Sequence, residues 1–239
     1  MKAVSPSRWQ EAQAHELDFW RGWRDLAPYR GVKLDEYWQG EIAKFGLDGA
    51  FFAGRRVLDV GCGPVGLIHF LPQAAQRVRL DPLLHIYEEK LPFNGLSITA
   101  AGEQLPLPDR CVDVAICFNA LDHMRDPAAA LAELARVLRP GGTLLLMVHT
   151  FPTWTMSLLA IDRLHPHHWT HAGFLDRVGR AFHLTRVHRE RRVFPLTLAE
   201  RLRPSGWKYT VAGCVLATTY VVAENGAPVN TGDAQSSCE

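Results

Sequence analysis

The segment Arg55–Gly66, RRVLDVGCGPVG, most constrains the fold of this chain, because an apolar strand runs directly into a glycine-rich loop. Gly61, Gly63 and Gly66 satisfy the pattern G-x-G-x-x-G, in which glycines let the backbone turn tightly and approach a nucleotide at the N-terminus of a helix. The pattern is weak by itself. It predicts a strand–loop–helix unit in an open α/β sheet, which binds ligands at the carboxyl ends of its strands.

The acid Asp59 narrows the kind of ligand that this loop can hold. A loop that binds a pyrophosphate uses backbone N–H groups and the positive end of a helix dipole, so a carboxylate two residues before the first glycine would repel that ligand. A ligand with an ammonium group, a sulfonium and no phosphate is instead favoured by a nearby carboxylate. S-adenosyl-L-methionine is such a ligand. Asp81, which ends the apolar-rich segment Val78–Leu80, could accept hydrogen bonds from both hydroxyls of its ribose.

The composition predicts one globular domain, or one domain with a small cap. Of the 239 residues, 47% are apolar and 21% are charged, which allows a sizeable core and excludes wholesale disorder. The formal net charge is +1, and the one dense basic run, RVHRERRV at Arg186–Val193, alternates partly between apolar and charged positions. This alternation favours an edge strand over a phosphate-binding track, so no nucleic-acid partner is expected.

The N-terminus and the cysteines indicate the cellular compartment in which the protein is expected. The first residues lack the apolar core of a signal peptide, and no stretch approaches the roughly 20 apolar residues that span a bilayer. The five cysteines are an odd number without C-x-x-C spacing, which favours reduced thiols. These features together predict a cytoplasmic protein without a membrane partner.

Apolar segments that alternate with helix signals predict a parallel sheet. Strands are expected at residues 57–60, 78–80, 96–100, 112–118 and 143–148, the last two being nearly all apolar, as buried parallel strands require. Helices are expected between them. The first helix starts near Pro64 and ends before Pro72, and a later one is capped by Asp126 and ends at Pro140-Gly141-Gly142.

Aromatic residues interleaved with charges predict two or three helices between residues 8 and 52. They are Trp9, Phe19, Trp20, Trp23, Tyr29, Tyr37 and Trp38. Such aromatics either form a lid over a substrate or seal helices onto the sheet, and the pattern leaves both alternatives open. We therefore expect a cap or lid at 1–52, a main domain at 53–224 with a substrate-binding insertion near 151–170, and a disordered polar tail at 225–239.

Four segments occur in a characteristic order: VLDVGCGPVG, RLDP, GEQLPLPDRCVDVAICFNALDHMRDP and ELARVLRPGG. Together they resemble the class I S-adenosylmethionine-dependent methyltransferases of small molecules, over about Val57 to Thr150. The resemblance implies a Rossmann-like three-layer α/β sandwich with a seven-stranded, mostly parallel sheet. A helix near Thr170–Ala181 and an antiparallel pair of strands at Phe182–Val193 and Tyr209–Ala223 would complete that sheet.

The resemblance also implies which residues bind S-adenosyl-L-methionine. Asp59, Gly61, Cys62 and Gly63 would surround its methionine part, Asp81 and Pro82 its ribose, Gly102, Glu103, Gln104 and Leu105 its adenine, and Asn119 and Leu121 would line the cofactor after the fourth strand. The chain departs from the pattern at Ala101, where many relatives carry an acid that meets the adenine amino group. The backbone of Gly102 and Glu103 is expected to substitute for that acid.

His123, in the segment NALDHMRDP, is the candidate catalytic residue. Methyl transfer depends mainly on positioning donor and acceptor, so few catalytic groups are required. An imidazole near the end of the fourth strand could take a proton from the acceptor. Some relatives have two histidines here, whereas this chain has Asp122 before His123. A packing or capping role for His123 stays open.

A second group of histidines lies in RLHPHHWTHAGF, at positions 165, 167, 168 and 171. We expect this segment to form the acceptor wall, with substrate contacts from Trp20, Trp154, His165, His168 and Trp169. The spacing H-x-H-H-x-x-H beside a proline has no cysteine or carboxylate partner at a familiar ligand distance along the chain. No bound metal is therefore expected.

The predicted function is transfer of a methyl group from S-adenosyl-L-methionine to a small, partly aromatic or apolar metabolite at oxygen, nitrogen or carbon. One alternative is a non-catalytic cofactor-binding or partner subunit with the same fold. Another is an NAD-dependent oxidoreductase that shares the glycine pattern, which Asp59 opposes. The expected partner is a small-molecule acceptor, and a homodimer is an open alternative for the assembly.

Overall fold

Seven strands form one sheet in the computed structural model, which describes residues 3–22, 31–87, 91–157, 159, 165–191 and 215–226. The strands are β1 (Arg56–Val60), β2 (Gln76–Leu80), β3 (Leu96–Ile98), β4 (Val112–Phe118), β5 (Leu138–Thr150), β6 (His183–Arg191) and β7 (Ala217–Glu224). The α-helices are α1 (Pro6–Gly22), α2 (Leu34–Lys44), α3 (Pro127–Val137) and α4 (His171–Gly179). Short 3₁₀ helices lie at Gly49–Phe52, Leu67–Phe70, Leu121–His123 and Thr153–Thr155.

The strand order is β3-β2-β1-β4-β5-β7-β6. Strands β1 to β5 pair in parallel, and β7 runs antiparallel to both β5 and β6. The strand order reverses between β1 and β4, so the crevice for a ligand lies at the carboxyl ends of these two strands. This topology confirms the predicted α/β class with a seven-stranded, mostly parallel sheet.

Successive side chains of the central strands point to opposite faces of the sheet, so the core consists of two buried clusters, one on each face. In β4, Val114, Ile116 and Phe118 belong to one buried cluster, and Ala115 and Cys117 belong to the other. Residues of α3 and α4 cover the second face, whereas α2 and the 3₁₀ helix at 67–70 cover the first. A sheet that is covered on both faces explains why the central strands are nearly all apolar.

The connections on the β2 side of the sheet differ from the prediction. The expected helix between Pro64 and Pro72 is a single 3₁₀ turn, because Gly66 has extended backbone and the chain reaches Pro72 soon after that turn. In the described residues between β2 and β3, and in the connection from β3 to β4, the chain forms turns and bends instead of helices. Prolines in both connections oppose helix formation.

The elements after β4 follow the prediction more closely. Asp126 caps α3 by accepting hydrogen bonds from the backbone N–H groups of Ala128 and Ala129. Strand β5 begins at Leu138, five residues earlier than expected, because Gly141 and Gly142 form backbone hydrogen bonds with Asn225. As predicted, α4 occupies the expected segment, and β6 is an edge strand.

The N-terminal helices take different roles. Helix α2 seals the sheet: Trp38 donates a hydrogen bond from Nε1 to the backbone oxygen of Val65 and stacks on Phe118. Helix α1 lies over the carboxyl ends of the strands. Trp23, Tyr29, residues 209–214 of the predicted last strand and the tail from 227 lie outside the described residues. None of the helices in the described ranges is long and apolar enough to cross a membrane.

Candidate functional site

The glycine loop after β1 has a backbone that requires glycine. Gly61 and Gly63 have positive φ angles of 70° and 56°, which L side chains rarely adopt. A Cβ at Gly61 would collide with the side chain of Ala120, and one at Gly66 would lie 2.8 Å from Oδ2 of Asp59. The loop is therefore packed between the segment after β4 and the acid of β1.

Two buried carboxylates lie beneath this loop. Asp59 accepts a hydrogen bond from the backbone N–H of Ile68 at 3.3 Å, and Asp81 accepts from those of Gly63 at 3.0 Å and Leu83 at 2.8 Å. Burial raises the pKa of Asp59 to about 7 and that of Asp81 to about 6, although these hydrogen bonds oppose the rise. A positively charged ligand would favour the ionised form of both acids.

The loop at 102–105 is held by α3. The backbone N–H of Leu105 donates to Glu133, and Arg136 donates to the carbonyls of Leu105 and Leu107 and to Asp109. Arg136 therefore joins the LPLPD segment to the ELARVLRPGG segment, which gives a physical reason for their joint occurrence.

The side chain of Glu103 has a structural role at the start of α3. Its Oε1 accepts a hydrogen bond from the backbone N–H of Asp126, the cap of α3. A Cβ at Gly102 would lie 2.8 Å from Cε of Met124, so a larger residue would push the end of this side chain aside.

Asn119 marks the end of β4. Its φ is +48°, and its backbone N–H donates to the carbonyl of Met147 at 2.7 Å. The side-chain Oδ1 is buried and has no hydrogen-bond partner in the structure, which is costly unless a ligand supplies one. Leu121 is buried in the core. The orphaned oxygen, the glycine cradle and the two acids fit a cationic adenosyl ligand.

Helix α1 carries a functional candidate that the sequence analysis missed. Oε2 of Glu16 lies 3.4 Å from Nδ1 of His123, and Oε1 of Glu16 accepts a hydrogen bond from Nε1 of Trp20 at 2.6 Å. The Trp20 ring also lies 3.1 Å from the position that a Cβ of Gly63 would occupy. The i, i+4 spacing of Glu16 and Trp20 was the available signal, since it puts both on one face of a helix.

The four clustered histidines separate in the fold. The ring of His165 lies 4.6 Å from that of His123, and the ring of His168 lies 6.0 Å from that of His165. His167 is buried, and its backbone N–H donates to the carbonyl of Asp122. His171 shares a hydrogen bond with Thr219 of β7. The predicted acceptor wall is therefore reduced to two of its four histidines.

The two tryptophans proposed for this wall lie in different surroundings. Trp169 is 3% exposed and packs on Phe174 in the core, so its placement does not support contact with an acceptor. The side chain of Trp154 is 68% exposed. Phe151 packs against His168 instead, with ring centroids 5.8 Å apart. Asp122, which precedes His123 in the sequence, lies beside both His123 and His165 in the fold.

A separate surface cavity lies at the opposite end of the sheet, where β2 and β3 begin. It is lined by Pro72, Ala74, Ala75, Gln76, Arg77, Val78, Asn94, Gly95 and Leu96. These residues include one charged side chain and no acid or histidine. This cavity is remote from the glycine loop and carries no catalytic chemistry.

Comparisons with known proteins agree with this site. The profile of the methyltransferase domain family matches residues 58–146. The chain is 36% identical over 137 residues to the tRNA U34 carboxymethyltransferase of Methylococcus capsulatus, covering 52% of this chain and 42% of that protein. It is 34% identical over 99 residues to the ubiquinone biosynthesis O-methyltransferase of Stutzerimonas stutzeri, covering 38% and 42%.

The fold is similar to that of an S-adenosylmethionine-dependent methyltransferase from Mesorhizobium loti, with a TM-score of 0.57 and 19% identity over 80% of this chain and all of that one. The chain spans about two fifths of the length of the curated relatives it matches. The match to the methyltransferase domain family, the fold and the buried acids beside the glycine loop all indicate S-adenosyl-L-methionine as the cofactor. Residues 58–146 of the chain are therefore similar to the methyltransferase domain family, and the sheet that they form is similar to those of solved S-adenosylmethionine-dependent methyltransferases.

Proposed function

We propose that this protein transfers a methyl group from S-adenosyl-L-methionine to a small-molecule acceptor at oxygen, nitrogen or carbon. The observation that carries the proposal is the meeting of Glu16, Trp20 and His123 beside the glycine loop. Helix α1 covers the crevice there, and its N-terminal end is attached by hydrogen bonds to Arg125 and His165. A covered crevice suits a small acceptor better than a large polymer.

The residues that we propose to hold the cofactor are those that the resemblance implies. Asp59, Gly61, Cys62 and Gly63 would contact its methionine part, Asp81 and Pro82 its ribose, residues 102–105 its adenine, and Asn119 and Leu121 its remaining edge. When bound, the cofactor supplies a methyl group activated by a sulfonium. Trp20 covers the loop and limits the access of water to it.

His123 is the residue that we propose to promote loss of the acceptor's proton. Glu16 orients its imidazole, and His165 and His168 extend the polar lining of the acceptor side. The substrates named for the relatives differ in kind, a tRNA in one case and a quinone precursor pathway in the other. The preference for a small acceptor therefore rests on the covered site and on the nearly neutral net charge.

One observation favours a second candidate, a cofactor-binding subunit without turnover. Both carboxylate oxygens of Asp81 already accept hydrogen bonds from backbone N–H groups, and the acid that many relatives place at position 101 is an alanine. Binding of a ribose would have to replace or share these bonds. The family assignment and Asp59 together argue against the nicotinamide alternative.

Calorimetric titration with S-adenosylmethionine and S-adenosylhomocysteine tests the proposal, with NADH as the competing ligand. We expect micromolar binding of the first two ligands, loss of about tenfold to a hundredfold in affinity in Asp81→Ala, and no NADH binding. An acceptor screen then follows methyl transfer. His123→Ala should bind the cofactor normally and slow turnover, whereas unchanged turnover would remove His123 from the mechanism. Cofactor binding without transfer to any acceptor would favour the non-catalytic subunit.

A further inference from the structure

Asp122, His123 and His165 form a cluster that chain spacing does not reveal. Asp122 and His123 lie in the 3₁₀ helix after β4, and His165 lies in the segment that precedes α4. Each residue offers one ligand atom, and these atoms all lie within 4.8 Å of one another. Two imidazoles and one carboxylate at this separation can face a single ion.

A buried and unsatisfied carboxylate oxygen indicates that the cluster can hold a cation. Asp122 is 3% exposed, and its Oδ1 has no hydrogen-bond partner. Nδ1 of His123 faces Oε2 of Glu16 at 3.4 Å, which leaves Nε2 as the ring nitrogen to bind an ion. Leaving a carboxylate oxygen buried and unpaired costs free energy, and a cation at the cluster would remove that cost.

We propose that Asp122, His123 and His165 bind one divalent transition-metal ion, which would hold the methyl acceptor through its hydroxyl oxygen. Nitrogen and oxygen donors of this kind suit Zn²⁺ or Co²⁺ better than Mg²⁺ or Ca²⁺, which prefer oxygen ligands. Three protein ligands leave at least one position open for a substrate, as in catalytic zinc sites. The carboxylate of Glu16 beside His123 matches the partners that orient metal-bound imidazoles.

His123 would promote loss of the acceptor's proton by holding the metal ion. This role rests on the proposed function. A hydroxyl bound to a divalent ion has a lowered pKa, so its proton leaves to solvent. The oxygen lone pair then forms the bond to the methyl carbon, while the electron pair of the breaking carbon–sulfur bond stays on sulfur. The step balances without an oxidant or a reductant.

Cobalt titration of the 239-residue chain, without an affinity tag and stripped with a chelator, tests the site directly. We expect one equivalent of Co²⁺ to bind with visible d–d absorption and to be displaced by Zn²⁺. Asp122→Asn and His165→Gln should each weaken binding by at least about tenfold, and Glu16→Gln by about tenfold. His183→Gln, on the exposed part of edge strand β6, is the matched control and should bind like the wild type.

The outcomes separate the metal from the proposed function. Absence of stoichiometric Co²⁺ binding would overturn the site. Wild-type affinity for Co²⁺ in both Asp122→Asn and His165→Gln would also overturn it. His165 is partly exposed, so His165→Gln should fold and test the site even if Asp122→Asn does not fold. Circular dichroism checks the folding of both variants. Methyl transfer that is unchanged after metal removal would overturn the role in acceptor activation. Metal binding by a chain that does not bind S-adenosylmethionine would instead contradict the proposed function alone.

Discussion

Oε2 of Glu16 lies 3.4 Å from Nδ1 of His123, and this contact joins the N-terminal helix to the segment after β4. The two residues are partly buried, with side-chain exposures of 19% and 13%. Their proximity means that α1 does more than cover the sheet. It brings a carboxylate to the one histidine that follows the fourth strand, directly beside the glycine loop.

Glu16→Gln should slow methyl transfer by roughly tenfold or more, while the affinity for S-adenosylmethionine stays within about a factor of two. The amide retains an acceptor for Trp20 but removes the charge that faces His123. Steady-state kinetics and calorimetry on the same preparation measure both quantities. Glu36→Gln is the matched control, because the ion pair of Glu36 with Lys33 is exposed. Equal kinetics in the two variants would contradict the positioning role.

The affinity for S-adenosylmethionine should increase as the pH rises from about 5.5 to about 7. Burial raises the pKa of Asp59 to about 7 and that of Asp81 to about 6, and a cationic ligand binds the ionised carboxylates better, so binding releases protons. Titrations in buffers with different ionisation enthalpies count these protons. S-adenosylhomocysteine lacks the sulfonium charge and should show a smaller slope. A pH-independent affinity would argue against both acids as cofactor ligands.

The same two acids should make the free protein less stable as the pH rises from about 4 to about 7. Their pKa values are higher in the folded chain than in the unfolded chain, so the folded chain binds more protons over this range and loses stability as they dissociate. Urea unfolding across this range measures the effect. Asp59→Asn should reduce the slope, whereas an unchanged slope would assign the pH dependence to other groups.

Gly61→Ala should abolish detectable cofactor binding and lower the free energy of unfolding by about 2 kcal/mol. An alanine would occupy a φ of +70° and collide with the side chain of Ala120. Gly40→Ala in α2 is the control, because no atom lies within 4 Å of its added Cβ and alanine favours a helix. Denaturant unfolding and calorimetry should separate the two. Wild-type binding by Gly61→Ala would mean that the loop adapts.

Lys44→Met should destabilise the protein by about 2 kcal/mol, since it breaks a partly buried ion-pair network. Lys44 pairs with Glu41 and Glu190, and the hydroxyl of Tyr220 lies within hydrogen-bond distance of both carboxylates. Glu41 is 3% exposed and would lose its counter-ion. Lys33→Met is the control and should cost less than about 0.5 kcal/mol, because its pair is exposed. Similar losses in urea unfolding would contradict this network.

Local patterns in the sequence predicted the fold class and the position of the glycine loop. The strands β1, β4 and β5 could be predicted because a parallel sheet covered on both faces leaves unbroken apolar runs. The start of α3 could be predicted because the capping hydrogen bonds of Asp126 join near neighbours. The prediction of a helix from Pro64 to Pro72 was wrong, since the conformation of a short segment between a glycine and a proline depends on how the loop packs.

Only the tertiary structure decided the surroundings of His123. The histidines at 165, 167, 168 and 171 look like one group along the chain, yet backbone direction sends His165 to His123, His167 into the core and His171 to β7. The carboxylates that meet this site, Glu16 and Asp122, come from segments remote from those histidines, so no spacing rule connects them. Sequence patterns report contacts between near neighbours, whereas a site built from three distant segments exists only once the sheet has brought them together.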